Sequence, residues 1–194
     1  VKELTGIGFL AGMADPCLFR KESDGEISLL LLFTDDIALI TKTDKEATDI
    51  ISQLERKFKL KNLGEIKQYL GLKIDRTRGG YKISQADKIN QLLKSYKMEL
   101  CKPVKTPMSQ EFCQSDAQSP IFDKTIYQSL IGSLSYISNW SRPDISYSVN
   151  QLARFNANPT ERHWQAAKRV LRYLKNTMHY TLYLEPKKKL YLSA

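Results

Sequence analysis

Two apolar runs of strand length, Leu29-Leu30-Leu31-Leu32-Phe33 and Ile37-Ala38-Leu39-Ile40, are separated by Thr34-Asp35-Asp36. Short apolar runs around turn-forming residues predict the arms of a hairpin, with the Asp pair in its turn. Residues 17–20 predict an earlier strand, and Asp24-Gly25 a turn into a strand over 27–33. The period then changes. Ala47, Ile50, Ile51, Leu54 and Phe58 recur at helical spacing behind Thr43-Asp44-Lys45-Glu46, which has capping-box form. That helix is expected to pack its apolar stripe on the sheet carrying the aspartates. Residues 70–75 and 81–83 predict a second hairpin around Gly79-Gly80. Ser84-Gln85-Ala86-Asp87 then opens a helix with Ile89, Leu92, Leu93 and Tyr96 on one face.

From 101 to 123 the chain carries Pro103, Pro107 and Pro120 among many polar residues, an extended linker and the natural subdomain boundary. Three helices are predicted beyond it. The first shows Ile126, Leu130, Ile131, Leu134 and Ile137 and ends near Arg142-Pro143. The second starts at Asp144, shows Ile145, Val149, Leu152 and Phe155, and stops before Pro159. The third is capped by Thr160 and carries Trp164, Ala167, Leu171 and Leu174, with Trp164 read as core. Leu190-Tyr191-Leu192 could begin one more strand. Strands first and helices after make this an α+β chain.

The length, 194 residues, suits one domain or two small subdomains with a real core, and 42% hydrophobic with 26% charged residues describes a soluble globular chain. No apolar run approaches the roughly 20 residues of a membrane helix, so no membrane partner is expected. No signal peptide is visible, and a start at Val1 reads as a piece of something longer. The net charge of +9 favours a polyanionic partner, nucleic acid first, against the alternative of a basic but nonspecific surface. Cys17, Cys101 and Cys113 are widely spaced, and His163 and His179 lie far from them, so zinc is not expected. They read as reduced intracellular thiols, with Cys17 in the core.

The Asp pair is the candidate chemistry. Two buried like charges need a compensating cation, and Mg²⁺ would supply it through hard oxygen ligands. The alternative is a solvated turn of an ordinary hairpin, since turns favour Asp.

Phe33-Thr34-Asp35-Asp36 resembles the reverse transcriptase tetrapeptide of an aromatic residue, a variable residue and two aspartates. The flanks narrow the resemblance to the Ty1/copia class of retrotransposon Pol polyproteins. Asp15-Pro16-Cys17-Leu18-Phe19 is similar to the class's segment before the catalytic hairpin, and Leu63-Gly64-Glu65-Ile66-Lys67-Gln68-Tyr69-Leu70-Gly71-Leu72-Lys73-Ile74 to the segment after it. Tyr127-Gln128-Ser129-Leu130-Ile131-Gly132-Ser133-Leu134-Ser135-Tyr136, Arg142-Pro143-Asp144-Ile145, and the run from Asn158 through His163-Trp164 to Lys175 resemble later blocks. The blocks come in the family's order across nearly the whole chain.

The resemblance implies a fold: the C-terminal part of a polymerase palm over 1–84, a thumb helix and linker over 85–123, and a helical thumb or connection region over 124–186. Residues 187–194 would then lead toward an RNase H domain. It implies RNA-directed DNA polymerase activity, with Asp35 and Asp36 as catalytic metal ligands, Asp35 the stronger of the two, and Mg²⁺, with Mn²⁺ as an alternative, as cofactor. Tyr69, Leu70, Gly71 and Leu72 would form a primer-grip-like segment, Gly71 permitting close approach of the primer backbone, against the alternative of a tight sheet turn packing on a helix. Lys59 or Lys61 could donate a proton near the pyrophosphate. The implied partners are a primed RNA or DNA template, deoxynucleoside triphosphates and the rest of the Pol polyprotein, including fingers, RNase H and integrase. The implied location is cytoplasmic, in a virus-like particle, or nuclear.

The sequence departs from the usual tetrapeptide in Phe33 and Thr34; Phe keeps the aromatic surface and lacks a hydroxyl that could touch the primer end. The family's third carboxylate, on an earlier palm strand, has no counterpart among Glu3, Asp15, Glu22, Asp24 and Glu26, and is expected upstream of Val1 together with the fingers. The isolated chain is therefore expected to be inactive, and a non-catalytic nucleic-acid-binding or assembly remnant stands as the alternative. Lys168, Arg172 and Lys175 fall at i, i+4 and i+7, a stripe that could track phosphates or simply be a solvated helix face. Lys187-Lys188-Lys189 reads as a linker charge run.

Overall fold

The computed structural model describes residues 2–23, 25–109 and 119–185. Cys113, Lys187-Lys188-Lys189 and the strand expected at 190–192 lie outside them. The chain divides into two compact units, 1–69 and 70–194.

In the first unit a short helix α1 (Lys2–Thr5) precedes strands β1 (Leu10–Ala11), β2 (Leu18–Ser23), β3 (Glu26–Phe33) and β4 (Asp36–Ile40), then helix α2 (Asp44–Glu55) and strand β5 (Gln68–Tyr69). Strands β1 to β4 form an antiparallel sheet in sequence order. Side chains alternate between faces along a strand. Phe19 and Leu30, a cross-strand pair, are buried with Ile50 and Leu54 of α2, so the helix packs on the sheet carrying the aspartates, as its stripe predicted. Leu32, Ile37 and Leu39 pack against that core. The opposite face holds Ile27, Phe33 and Ile40, all exposed.

Thr43 caps α2 by accepting from the Glu46 N–H at 3.2 Å. Its partner departs from the capping box: the Glu46 carboxylate accepts from the hydroxyl of Ser28, a fully buried residue of β3. A buried hydroxyl needs a partner more than an exposed helix terminus does. Phe58 lies beyond the end of α2, on the helical period but outside the helix.

In the second unit β6 (Leu72–Thr77) and β7 (Gly80–Ser84) form the expected hairpin. Helices α3 (Ala86–Ser95), α4 (Lys124–Trp140), α5 (Ser146–Ala153) and α6 (Glu161–Asn176) follow, with a 3₁₀ turn at Pro143–Ile145 before α5. Strand β8 (Leu182–Leu184) pairs with β7, an element the sequence did not predict. The pairing explains Gly80, where a β-carbon would stand 2.0 Å from the Leu184 carbonyl oxygen.

Ile89, Leu92 and Leu93 of α3 share one buried core with Leu130, Leu134, Val149, Leu152, Leu171 and Leu174. The division between units therefore falls at 69/70 and not within the Pro-containing linker, because α3 has its apolar partners on α4 to α6. On α4 the buried aromatic is Tyr127, with its hydroxyl donating to the Leu152 carbonyl at 2.9 Å, while Ile126 is exposed. Trp164 is half-buried, stacked on Phe122 with ring centroids 4.6 Å apart.

Arg142, 2% exposed, is the largest fully buried side chain among the described residues. Its Nε and Nη2 donate to both carboxylate oxygens of Asp144 at 2.9 and 2.7 Å, and Nη1 donates to the Thr177 carbonyl at 3.0 Å. Tyr173 donates to Asp144 at 2.8 Å. The buried Arg142, held by the more exposed Asp144, thus fastens the end of α4 to the end of α6. Among the described residues no helix is long and apolar enough to cross a membrane.

Candidate active site and nucleic-acid interface

The two-residue turn between β3 and β4 is Thr34-Asp35, and Asp36 is the first residue of β4, paired with Phe33. The core-face pair Leu30↔Leu39 fixes this register, and a slip by one residue would turn the apolar side chains out. So the turn holds one aspartate of the pair. Thr34 has φ of 51°, at the first central position of the turn, where glycine is favoured. A β-branched residue there is an outlier of the kind that gathers at functional sites.

Both Asp35 and Asp36 are exposed. Burial therefore does not force a cation on the pair, and the argument from buried like charges fails. Solvent screens them. By alternation Asp36 lies on the face of Phe33 and Ile40, away from α2. Tyr69 of β5 is its neighbour: burial raises the pKa of the Tyr69 hydroxyl above the usual tyrosine value, and the Asp36 charge and Cys17 push it the same way. Cys17 itself is exposed, contrary to its reading as core, with its N–H bound to Asp15 Oδ1 at 2.8 Å. Phe19 is the buried residue of that segment.

Asp35 and Asp36 offer hard oxygen donors suited to Mg²⁺, which is commonly held by one or two carboxylates plus substrate phosphates. Among the described residues no group of three or more His, Cys, Asp or Glu side chains is assembled for a metal. Lys59 and Lys61 are exposed on the loop after α2.

In the primer-grip-like segment Leu70 and Gly71 have φ of 49° and 76°, and Leu72 is buried. The close approach at Gly71 comes from within the chain: a β-carbon there would stand 2.9 Å from the Tyr136 hydroxyl, which donates to the Leu70 carbonyl. Gly71 and Tyr136 line an open cleft of about 490 Å³ with Lys88, Gln128, Ser129, Gly132 and Ser133. Sequence reasoning missed this cleft. Its signal was available: Gln128, Gly132 and Tyr136 recur every four residues on α4 and break its apolar period.

The basic stripe is not a bare solvated face. Arg172 Nε donates to the Lys102 carbonyl at 2.7 Å and Lys175 Nζ to the Cys101 carbonyl at 2.8 Å. Lys168 Nζ lies 5.7 Å from the centroid of the Trp164 ring. Arg172 and Lys175 hold the segment after α3 against α6.

Comparison with known proteins gives the family of the chain. A family model described as reverse transcriptase (RNA-dependent DNA polymerase) matches residues 2–110, and the chain belongs to that family. Relatives include the retrovirus-related Pol polyproteins from transposon TNT 1-94 of Nicotiana tabacum and transposon RE1 of Arabidopsis thaliana. The first is 35% identical over 179 residues, 87% of this chain and 14% of that protein. The second is 37% identical over 193 residues, 98% of this chain and 13% of that protein. An uncharacterized mitochondrial protein of Arabidopsis thaliana is 34% identical over 165 residues, 85% of this chain and 68% of the relative. The chain thus spans 13 to 14% of the length of the two transposon polyproteins. No solved structure matches.

Proposed function

We propose that this chain contributes the catalytic hairpin and primer-holding segment of a copia-type RNA-directed DNA polymerase, residues 1–84 forming part of its palm and the helices its thumb. The observation that carries the reading is the Phe33-Thr34-Asp35-Asp36 turn. It presents two adjacent exposed carboxylates at the end of a sheet face whose other side is packed on α2. Asp35, at the tip, and Asp36, at the mouth of β4, would hold Mg²⁺, with Mn²⁺ as a substitute. When bound, the metal would stabilise charge on the attacking and leaving oxygens of nucleotidyl transfer. The side chains' own task is positional: the strained turn aims Asp35 outward, and β4 pairing fixes Asp36 beside Tyr69. Tyr136 holds the Leu70-Gly71 turn where a primer strand would lie, and the cleft beside it offers Lys88, Gln128 and small side chains to a duplex. The partners are a primed template, deoxynucleoside triphosphates and the remainder of a Pol polyprotein.

The reading is tested by primer extension with a Pol polyprotein carrying this chain. Asp35→Asn is expected to abolish extension with folding intact, because a metal-binding carboxylate is lost from the reacting centre. Extension at wild-type rate overturns the assignment. The 194-residue chain alone, with two of the family's three carboxylates, is expected to extend nothing in Mg²⁺ or Mn²⁺.

A further inference from the structure

Thr106-Pro107 lies on the segment after α3, in neither helix nor strand, and Thr106 is exposed. To either side of it Val104 and Met108 pack on the second unit's core. Pro107 has no N–H and biases the residue before it toward extended backbone. The Thr106 hydroxyl accepts from Arg169 Nη2 at 2.8 Å, and among the described residues no acceptor takes its own proton. Thr106 Oγ1 is therefore an accessible nucleophile with a proton free to leave.

What surrounds this hydroxyl is short of an anion. Arg169 Nε is buried and, among the described residues, has no hydrogen-bond partner. Nε and Nη2 share one edge of a guanidinium, the edge with which Arg142 grips both oxygens of Asp144. At Arg169 the same edge meets one neutral oxygen. Arg169 is in no ion pair among the described residues, and Lys168 and Lys105 stand next to Arg169 and Thr106 in the chain. Residues 101–109 contain no acid, and the one acid of α6, Glu161, is its first residue. A buried donor left unpaired is costly. A phosphate on Thr106 would bring a charge of about −1.5 to −2 and three acceptor oxygens, enough to keep Nη2 and to answer Nε.

We propose that Thr106 is a phosphorylation site for a proline-directed kinase, and that Arg169 receives the phosphate and locks the segment onto α6. ATP is the donor. The bond from Oγ1 to the γ-phosphorus forms as the bond from that phosphorus to the bridging oxygen breaks. ADP leaves, and the hydroxyl proton passes to the kinase's catalytic carboxylate. Ser119-Pro120 is the other Ser/Thr-Pro pair of the sequence. Ser119 is half-buried, and its hydroxyl accepts from the Arg162 N–H at the start of α6 at 3.1 Å, so it caps a helix and is the poorer acceptor. The site is independent of the polymerase reading.

The test incubates the 194-residue chain with a mitogen-activated protein kinase, ATP and Mg²⁺, then maps phosphate by mass spectrometry of its peptides. Phosphate is expected on Thr106 ahead of Ser119; an unmodified Thr106, or Ser119 modified first, overturns the site. The second readout is thermal. Phosphorylated protein is expected to melt about 2–6 °C above the unmodified form, and phosphatase treatment should reverse the gain. R169K keeps the charge but lacks the shared edge, and R169Q lacks the charge as well. Each variant is compared with its own unmodified form, so any loss of basal stability cancels. The gain should shrink in R169K and vanish in R169Q. A melting point unmoved by phosphorylation, or a gain that R169Q keeps in full, overturns Arg169 as the receiver.

Discussion

The Tyr136 hydroxyl donates to the Leu70 carbonyl, tying α4 to a turn in which Leu70 and Gly71 are both left-handed. Gly71 thus answers two demands, a φ of 76° and the hydroxyl that a β-carbon would meet at 2.9 Å. Gly71→Ala is expected to destabilise the second unit by at least the backbone cost of about 1–2 kcal/mol. Tyr136→Phe should cost about 1 kcal/mol for one hydrogen bond. In the Tyr136→Phe background Gly71→Ala should cost less than in the wild type, because the obstructing oxygen is gone. Urea unfolding of the four proteins measures this, and strictly additive losses would show that the hydroxyl is not the obstacle.

Arg142 and Asp144 set a second expectation. Removing the buried guanidinium leaves the Thr177 carbonyl without its donor and the partly exposed Asp144 carboxylate with Tyr173 and solvent, so Arg142→Ala should cost about 1–3 kcal/mol. Burial pushes the Asp144 pKa up, but the hydrogen bonds from Arg142 and Tyr173 and the Arg142 charge bring it below the usual aspartate value. A depressed carboxylate pKa stabilises the fold above the unfolded value of about 3.9. That contribution should fade as pH falls from there through the lower folded value. Asp144→Asn should lack this acid limb in a series of melts from pH 5 to pH 2.

At the start of α6, Thr160 N–H donates to His163 Nδ1 at 2.9 Å, and the imidazole stacks on Phe155 at 3.9 Å between centroids. Burial and then the Arg162 charge hold the His163 pKa below its usual value. The fold therefore favours the neutral ring, and stability should be complete above about pH 6.5. It should decline as pH falls toward the lower folded value, where Nδ1 gains a proton and can no longer accept. His163→Gln keeps a capping acceptor at the same position. It is expected to flatten thermal stability between pH 7 and pH 5; a slope equal to the wild type's would assign the dependence to another group.

Thr34 supplies the fourth prediction. With φ of 51° on a β-branched residue, Thr34→Gly is expected to stabilise the hairpin by up to about 1 kcal/mol. Thr34→Val, equally branched, should give no gain. Equal stability of the Gly and Val variants in chemical unfolding would show that the turn carries no strain at this position.

Much of the fold was legible because apolar spacing is local. The arms of the Asp hairpin and the stripes of α2, α3 and α6 follow from it. The turn register was not, since Thr34-Asp35-Asp36 offers two adjacent turn-formers and the choice is made across the sheet by Leu30 and Leu39. The fate of the basic stripe was hidden for a different reason. Arg172 and Lys175 bind the backbone carbonyls of Lys102 and Cys101, and a carbonyl is the same at every residue. Ile126 and Tyr127 compete for one edge of the α4 stripe. Tyr127 is the buried one, because the Leu152 carbonyl receives its hydroxyl. The aspartates were singled out by residue type and order, while their exposure at the end of the β3–β4 hairpin is not carried by any local spacing.

Tyr81 pairs with Leu184, and Lys82 with Tyr183. About a hundred residues separate the members of each rung, so closing it must overcome the loop entropy of nearly the whole second unit. The rungs between β6 and β7 close across a turn of two residues and need no such wait. The sheet is therefore completed in two stages, the hairpin early and β8 only after α4 to α6 have brought the chain back. During synthesis the outer edge of β7 stays open until the ribosome has released residue 184, and for that interval it is an edge open to pairing with another chain.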